Sequence, residues 1–199
     1  MAKKRRRQKP RRSKPGPPVI RNGRAEPHGE LIDNRVHIFV DDQNLFFGIV
    51  NQKYGPEFRI DFGRLLNVVY QASNGDGRFI QSAYIAGVIP DDDSFWKIAE
   101  NRGFTVRRGF LGANQRSKQD DAYLITDLTA TLFEQDGPST IILVAGDADY
   151  VPPLIKAIEK GWRVEVVFID RGVSGALEAV THEFRELNPY SIEYIPGLS

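Results

Sequence analysis

Two short apolar runs, Val36–Val40 and Ser139–Ala145, set the strongest limit on what this chain can fold into. Both are rich in β-branched residues and carry no full charge. Both stop at acids, Asp41-Asp42 after the first and Gly146-Asp147 after the second. Continuous rather than alternating apolar runs mark strands buried on both faces, as in parallel sheets covered by helices.

The intervening stretches supply those helices and further strands. Leu45, Phe46, Ile49 and Val50 recur at helical spacing, and Asp61 stands where it can cap a helix bearing Leu65, Leu66, Val68 and Val69. Arg78–Val88 reads as a second strand. Asp92 or Asp93 then caps a helix carrying Phe95, Trp96, Ile98 and Ala99, with Gly103 as its stop, and Phe104–Arg108 reads as a third strand. A polar loop, Gly112–Lys118, precedes a long helix over about 119–134. Beyond Ser139–Ala145 come a helix from Tyr150 to Glu159, a stop at Gly161 and a strand at Arg163–Ile169. A helix near Ala176–Glu186 and an edge strand at Ile192–Ile195 complete the pattern. Strands alternating with helices predict an α/β fold with a mostly parallel sheet, whose ligand site lies beyond the carboxyl ends of the strands.

Charge divides the chain in two. Residues 1–24 hold eleven of the 27 basic residues and no acid, which leaves 16 basic residues against 26 acids, a net −10, for the rest. With Pro10, Pro15, Pro17, Pro18 and Pro27 and little that is apolar, residues 1–32 are expected to be a disordered arm, and 33–199 a single folded domain. The arm, through Lys3, Lys4, Arg5, Arg6, Arg7, Arg11 and Arg12 among others, is expected to contact nucleic-acid phosphates. A solubilising tail or a nuclear import signal is the plainer alternative. There is no cysteine, so disulfides, thiolate metal sites and cysteine nucleophiles are excluded. No apolar run nears the roughly 20 residues of a bilayer span, and no apolar stretch follows the charged start as a secretory signal requires. A cytoplasmic location, with no membrane partner, is the expectation.

The strand-end rule selects Asp41 and Asp42 after the first strand, and Asp147 and Asp149 after the fourth. Like charges gathered at one sheet edge repel unless a cation neutralises them. Carboxylates with no Cys or His beside them favour Mg²⁺ or Mn²⁺ over zinc. The long helix adds Asp121, which shares a stripe with Leu124, Ile125, Leu128 and Leu132 and so is expected to face the sheet. Each acid also has a structural explanation. Asp121 in a first turn suits the helix dipole, Asp149 can be the N-cap of the helix from Tyr150, and Asp127 is second to the site or simply exposed. Asn44 is placed to reach a phosphate or a metal-bound water, or simply to initiate its helix; Lys118 is placed to reach a scissile phosphate or to be an ordinary loop lysine. Tyr150, Trp96 and Trp162 have rings able to stack on bases, but core packing is the expected role of each.

Three stretches, Phe39–Gly48 (FVDDQNLFFG), Lys118–Leu128 (KQDDAYLITDL) and Leu143–Val167, resemble the NYN domain of the PIN-like ribonuclease superfamily, in its LabA-like branch. The resemblance spans about residues 34–170. It implies a three-layer PIN-like, Rossmann-like fold and a ribonuclease using Mg²⁺ or Mn²⁺, with RNA as partner and products bearing a 5′-phosphate and a 3′-hydroxyl. Carried over by position, it makes Asp41, Asp121, Asp147 and Asp149 the metal-site acids, supported by Asn44, Lys118 and Asp127. Two positions depart from the family's pattern: Ala145 stands where Ser is frequent, and Asp42 where Gly is more usual. A homo-oligomer is left open, as is the choice between RNA and DNA.

The rival classes fit less well. A receiver domain needs an aspartate ending its third strand, where this chain has Arg107-Arg108-Gly109. A haloacid-dehalogenase-type phosphatase needs a second Asp where Gln43 stands, and no glycine-rich fingerprint marks a dinucleotide site. His28, His37 and His182 are too scattered for a histidine-based ribonuclease. A non-catalytic RNA-binding protein of the same fold is the serious alternative.

Overall fold

The computed structural model describes residues 34–52, 54–75, 77–88, 94–111, 117–118, 120–170 and 172–197, with side chains except at 110–120. Before residue 34 it describes only a short antiparallel pairing of Ile20–Arg21 with Arg24–Ala25. The expected domain division, the arm's phosphate-contacting cations and the capping role of Asp92 or Asp93 lie outside the described residues.

Seven strands form the sheet: β1 (Arg35–Asp41), β2 (Phe79–Val88), β3 (Thr105–Leu111), β4 (Ser117–Lys118), β5 (Thr140–Val144), β6 (Arg163–Phe168) and β7 (Glu183–Glu186). Their order is β4-β3-β2-β1-β5-β6-β7, and all neighbours are parallel except the short β4, which pairs antiparallel with β3. The helices are α1 (Asp42–Asn51), α2 (Phe62–Val69), α3 (Ser94–Asn101), α4 (Asp120–Glu134), α5 (Val151–Glu159) and α6 (Gly175–Val180). From β1 the chain works outward first through β2 and β3, then in the opposite direction through β5 and β6. Right-handed crossovers therefore put α1–α3 on one face and α4 and α5 on the other. This is the expected three-layer α/β arrangement.

The two runs that anchored the sequence reading are the two central strands. Val36, Ile38, Phe39, Val40 and all of Ile141–Val144 are wholly buried, each contributing about 1.5–3 kcal/mol by burial. Between them Val40 pairs level with Val144. The stops are also where they were expected. Gly103 and Gly161 adopt φ of +98° and +86°, a left-handed conformation that ends α3 and α5 at little cost only for glycine.

Two expectations fail near the C-terminus. The helix near Ala176–Glu186 ends at Val180, and Glu183–Glu186 joins the sheet as β7, parallel to β6. The open edge of β6 makes the difference. His182 N–H donates to the Val164 carbonyl (2.9 Å) and its Nδ1 accepts the Val164 N–H (3.0 Å), pulling the chain out of the helix. The expected edge strand at Ile192–Ile195 is a 3₁₀ turn, Pro189–Ser191, followed by one bridge from Glu193 to Ile60. Ile192 is buried there against the helical layer, so hydrophobicity placed it in the core without placing it in the main sheet.

Candidate active site

The order of the strands reverses between β1 and β5, and at such a switch point the two crossovers diverge and leave a crevice at the carboxyl edge. Asp41, the last residue of β1, stands on one side of it and Gly146-Asp147 on the other. Adjacent parallel strands thus bring together two acids that are more than a hundred residues apart in the chain.

Asp41 is only 4 % exposed and is held from two directions. One carboxylate oxygen accepts the Asn44 N–H at 2.9 Å, which makes Asp41 the N-cap of α1. The other accepts the Tyr150 hydroxyl at 2.9 Å, and that tyrosine is wholly buried. Asn44 in turn accepts the Gly146 N–H at 2.7 Å through its side-chain oxygen, tying the start of α1 to the end of β5. A Cβ at Gly146 would sit 2.3 Å from the Gly172 carbonyl oxygen, so only glycine lets the loop after β6 approach this closely.

The remaining acids occupy the rim. Asp147 and Asp149 are exposed, and Asp147 accepts the Asp149 N–H at 3.1 Å, capping the 3₁₀ turn Ala148–Tyr150 that leads into α5. The capping role considered for Asp149 therefore falls to Asp147. Asp121 lies in the first turn of α4, one turn before the buried Leu124, and is exposed rather than turned into the core. Lys118 lies in β4, level with Phe110.

Asp127 is neither exposed nor turned toward the acids. It forms a two-pronged ion pair with Arg107 of β3, at 2.6 and 2.8 Å, and its side chain is 14 % exposed. That hydrogen bond, with the charge of Asp127, raises the Arg107 pKa above its ordinary value despite partial burial. Asp41 and Arg107 are both level with Ala86, so all three occupy one row of the sheet and point to the face that α4 covers. The pair fastens α4, and with it Asp121, to that row. Sequence reasoning missed Arg107, which is half-buried in a strand whose neighbours Thr105 and Arg108 are exposed, so nothing in the local pattern marked it as paired. It weighed Tyr150 between base stacking and core packing, and the hydroxyl bond to Asp41 had no sequence signal. Trp96 and Trp162 are core residues as expected.

A second charged group lies away from this edge. Glu165 of β6 is wholly buried and binds Arg78 (2.6 and 2.9 Å) and Arg163 (2.7 Å), with Arg185 at 3.5 Å. Burial pushes its pKa up, but the bonds from Arg78 and Arg163 outweigh this and hold it below the ordinary value.

The NYN domain family matches residues 35–188. The chain belongs to the NYN domain family. NYN domains are typically ribonucleases, which assigns this chain to a nuclease-type, RNA-directed class. Among solved structures, a crystal structure of a protein of unknown function from Vibrio parahaemolyticus is similar, with a TM-score of 0.63 at 19% identity. The similarity covers 81% of this chain and 96% of that one, and at this identity it supports the shared fold alone. No curated protein matches the chain. None of the helices among the described residues is long and apolar enough to cross a membrane.

NYN and other PIN-like nucleases generally use divalent metal ions, and the residues of this edge can be tested against one. Among the described residues no three of Asp, Glu and His gather into a closed metal-holding group, as a protein cage for calcium or zinc would require. Magnesium sites differ, taking one or two carboxylates and leaving the rest to water and substrate phosphate. An all-oxygen set with Asp41 fixed at the crevice and Asp147 across from it suits that open kind of site.

Proposed function

We propose that this NYN protein, of the LabA-like branch, is a Mg²⁺- or Mn²⁺-dependent ribonuclease of the cytoplasm, hydrolysing RNA at the crevice between β1 and β5. The observation that carries the reading is Asp41, a buried carboxylate held by two hydrogen bonds at the topological switch point, with Asp147 on the neighbouring strand end. A buried carboxylate is costly unless hydrogen bonds compensate it, and the two donors that hold Asp41 keep it oriented at the crevice. Asp41, Asp121, Asp147 and Asp149 are the residues that would hold the ion, which when bound supplies Lewis-acid charge for phosphodiester hydrolysis.

The chain's own groups do the positioning. Tyr150 and the Asn44 N–H fix the Asp41 carboxylate in one orientation. The Asn44 side chain and Gly146 keep the two strand ends at a set separation, and Arg107 with Asp127 holds α4 so that Asp121 stays at the rim. The overall change joins a water oxygen to phosphorus and breaks the bond from phosphorus to the 3′ oxygen, giving a 5′-phosphate and a 3′-hydroxyl. Lys118 is proposed to steady the scissile phosphate. The basic arm is proposed to capture RNA that the acidic domain repels at long range.

The second reading, an RNA-binding protein without turnover, rests on the finding that no three possible metal ligands gather into one group among the described residues. One experiment separates the two. The protein is incubated with end-labelled single-stranded RNA and DNA under Mg²⁺, Mn²⁺ or chelator, beside Asp147→Asn. Metal-dependent cleavage of RNA that the substitution abolishes is expected. Cleavage surviving both chelator and substitution refutes the metal site, and binding without any cleavage establishes the second reading.

A further inference from the structure

We propose that the cleft between the outer side of α1 and the loop after β6 takes an unpaired nucleobase of the RNA strand. The identity of the strand rests on the ribonuclease reading; the binding chemistry rests on the cleft. Its volume is about 630 Å³, within the range of small-ligand pockets, and it opens beside the crevice at the same carboxyl edge of the sheet. Asn44 belongs to both. Its side-chain oxygen holds the Gly146 N–H at 2.7 Å, and the same residue lines the cleft. A strand whose phosphates cross Asp41 therefore has its neighbouring base within reach.

The lining has the chemistry of base recognition. Phe47 is 55 % exposed at the cleft, a large ring that no core packing explains, and aromatic faces stack on bases of any sequence. Asn44 and Asn51 bring amide groups, which pair with the donor and acceptor edges of bases.

The walls are also fixed in place. The Gln52 side-chain nitrogen donates to the Asp170 carbonyl, joining the end of α1 to the loop after β6. A Cβ at Gly48 would lie 3.0 Å from the Phe168 ring, so glycine there lets α1 sit close against the cleft's inner wall. A base can enter only when it is out of a duplex, so the inferred substrate is single-stranded at the position beside the cut.

The test is a binding measurement in chelator, so that turnover plays no part. Fluorescence anisotropy is read for the full chain with labelled single-stranded RNA, an abasic ribose-phosphate strand of equal length, and a duplex of the same sequence. Phe47→Ala and Asn51→Ala are compared with wild type, with thermal melts confirming that these exposed substitutions leave the fold intact. Phe47→Ala is expected to weaken single-stranded RNA binding about 5- to 150-fold, and Asn51→Ala to weaken it less. Binding of the abasic strand and the duplex should be unchanged by either. Equal losses on the abasic strand, no loss on single-stranded RNA, or wild-type binding that ignores the presence of bases would each overturn the proposal. Absence of cleavage in the earlier assay would remove the ribonuclease reading and leave this result standing.

Discussion

Tyr150→Phe removes one oxygen atom and tests the geometry on which the site depends. The hydroxyl lies 2.9 Å from a carboxylate oxygen of Asp41, with the tyrosine wholly buried and the aspartate 4 % exposed. A hydrogen bond to a charged group is worth about 1.5–3 kcal/mol, and a buried acceptor that loses its donor keeps its desolvation cost. The ring itself is unchanged, so no cavity larger than the lost oxygen forms. A loss of about 2 kcal/mol is therefore expected, close to the upper half of single-substitution effects. Urea unfolding followed by fluorescence suits the measurement, because Trp96 and Trp162 are both buried and both report the core. The reasoning is specific to the pair, so a double-mutant cycle with Asp41→Ala should show a coupling of about 1–2 kcal/mol. Tyr150→Phe within about 0.5 kcal/mol of wild type, or an effect that simply adds to that of Asp41→Ala, would refute it. If the carboxylate also serves hydrolysis, the same variant should slow cleavage while leaving binding of RNA in chelator intact.

Four further outcomes are expected. Gly146→Ala should cost about 1–3 kcal/mol by overpacking and slow any cleavage, since its Cβ would meet the Gly172 carbonyl at 2.3 Å; calorimetry beside activity checks both. Glu165→Gln, which leaves three arginines facing one another, should cost about 3–5 kcal/mol in chemical unfolding. In the wild type, the stability held by Glu165 is present above its ordinary value of 4.5 and lost as pH falls through its lower folded value. His182, whose pKa is lowered from 6.5 by burial and by the charge of Arg163, begins its own loss below 6.5, so a urea-midpoint profile should fall in two stages and the variant should lack the lower one. Deleting residues 2–24 removes eleven cations, and at about −0.7 per phosphate on single strands the slope of log K against log salt should flatten by up to roughly 8; an unchanged slope would show that the arm does not touch RNA.

The sequence by itself determined the layers, the alternation of strands and helices, and the strand ends at which to look. Val36–Val40 and Ser139–Ala145 could be read because burial on both faces forces continuous apolar runs, and Gly103 and Gly161 because a left-handed turn needs glycine. Those are local requirements, and local patterns record them. Strand order was not local. Nothing in the chain states that β1 and β5 are neighbours, yet that adjacency sets Asp41 across from Asp147 and makes the crevice. The same limit explains the misread C-terminus, where the open edge of β6, and not any propensity in Glu183–Glu186, made a strand. It explains Asp127 as well: its helical offset from Asp121 was legible, but the arginine awaiting it on β3 came from a separate stretch of chain. Tertiary structure alone decided which acids are held and by what. Hydrogen bonds such as Tyr150 to Asp41 join residues more than a hundred positions apart, and only the packed sheet brings such groups within 3 Å.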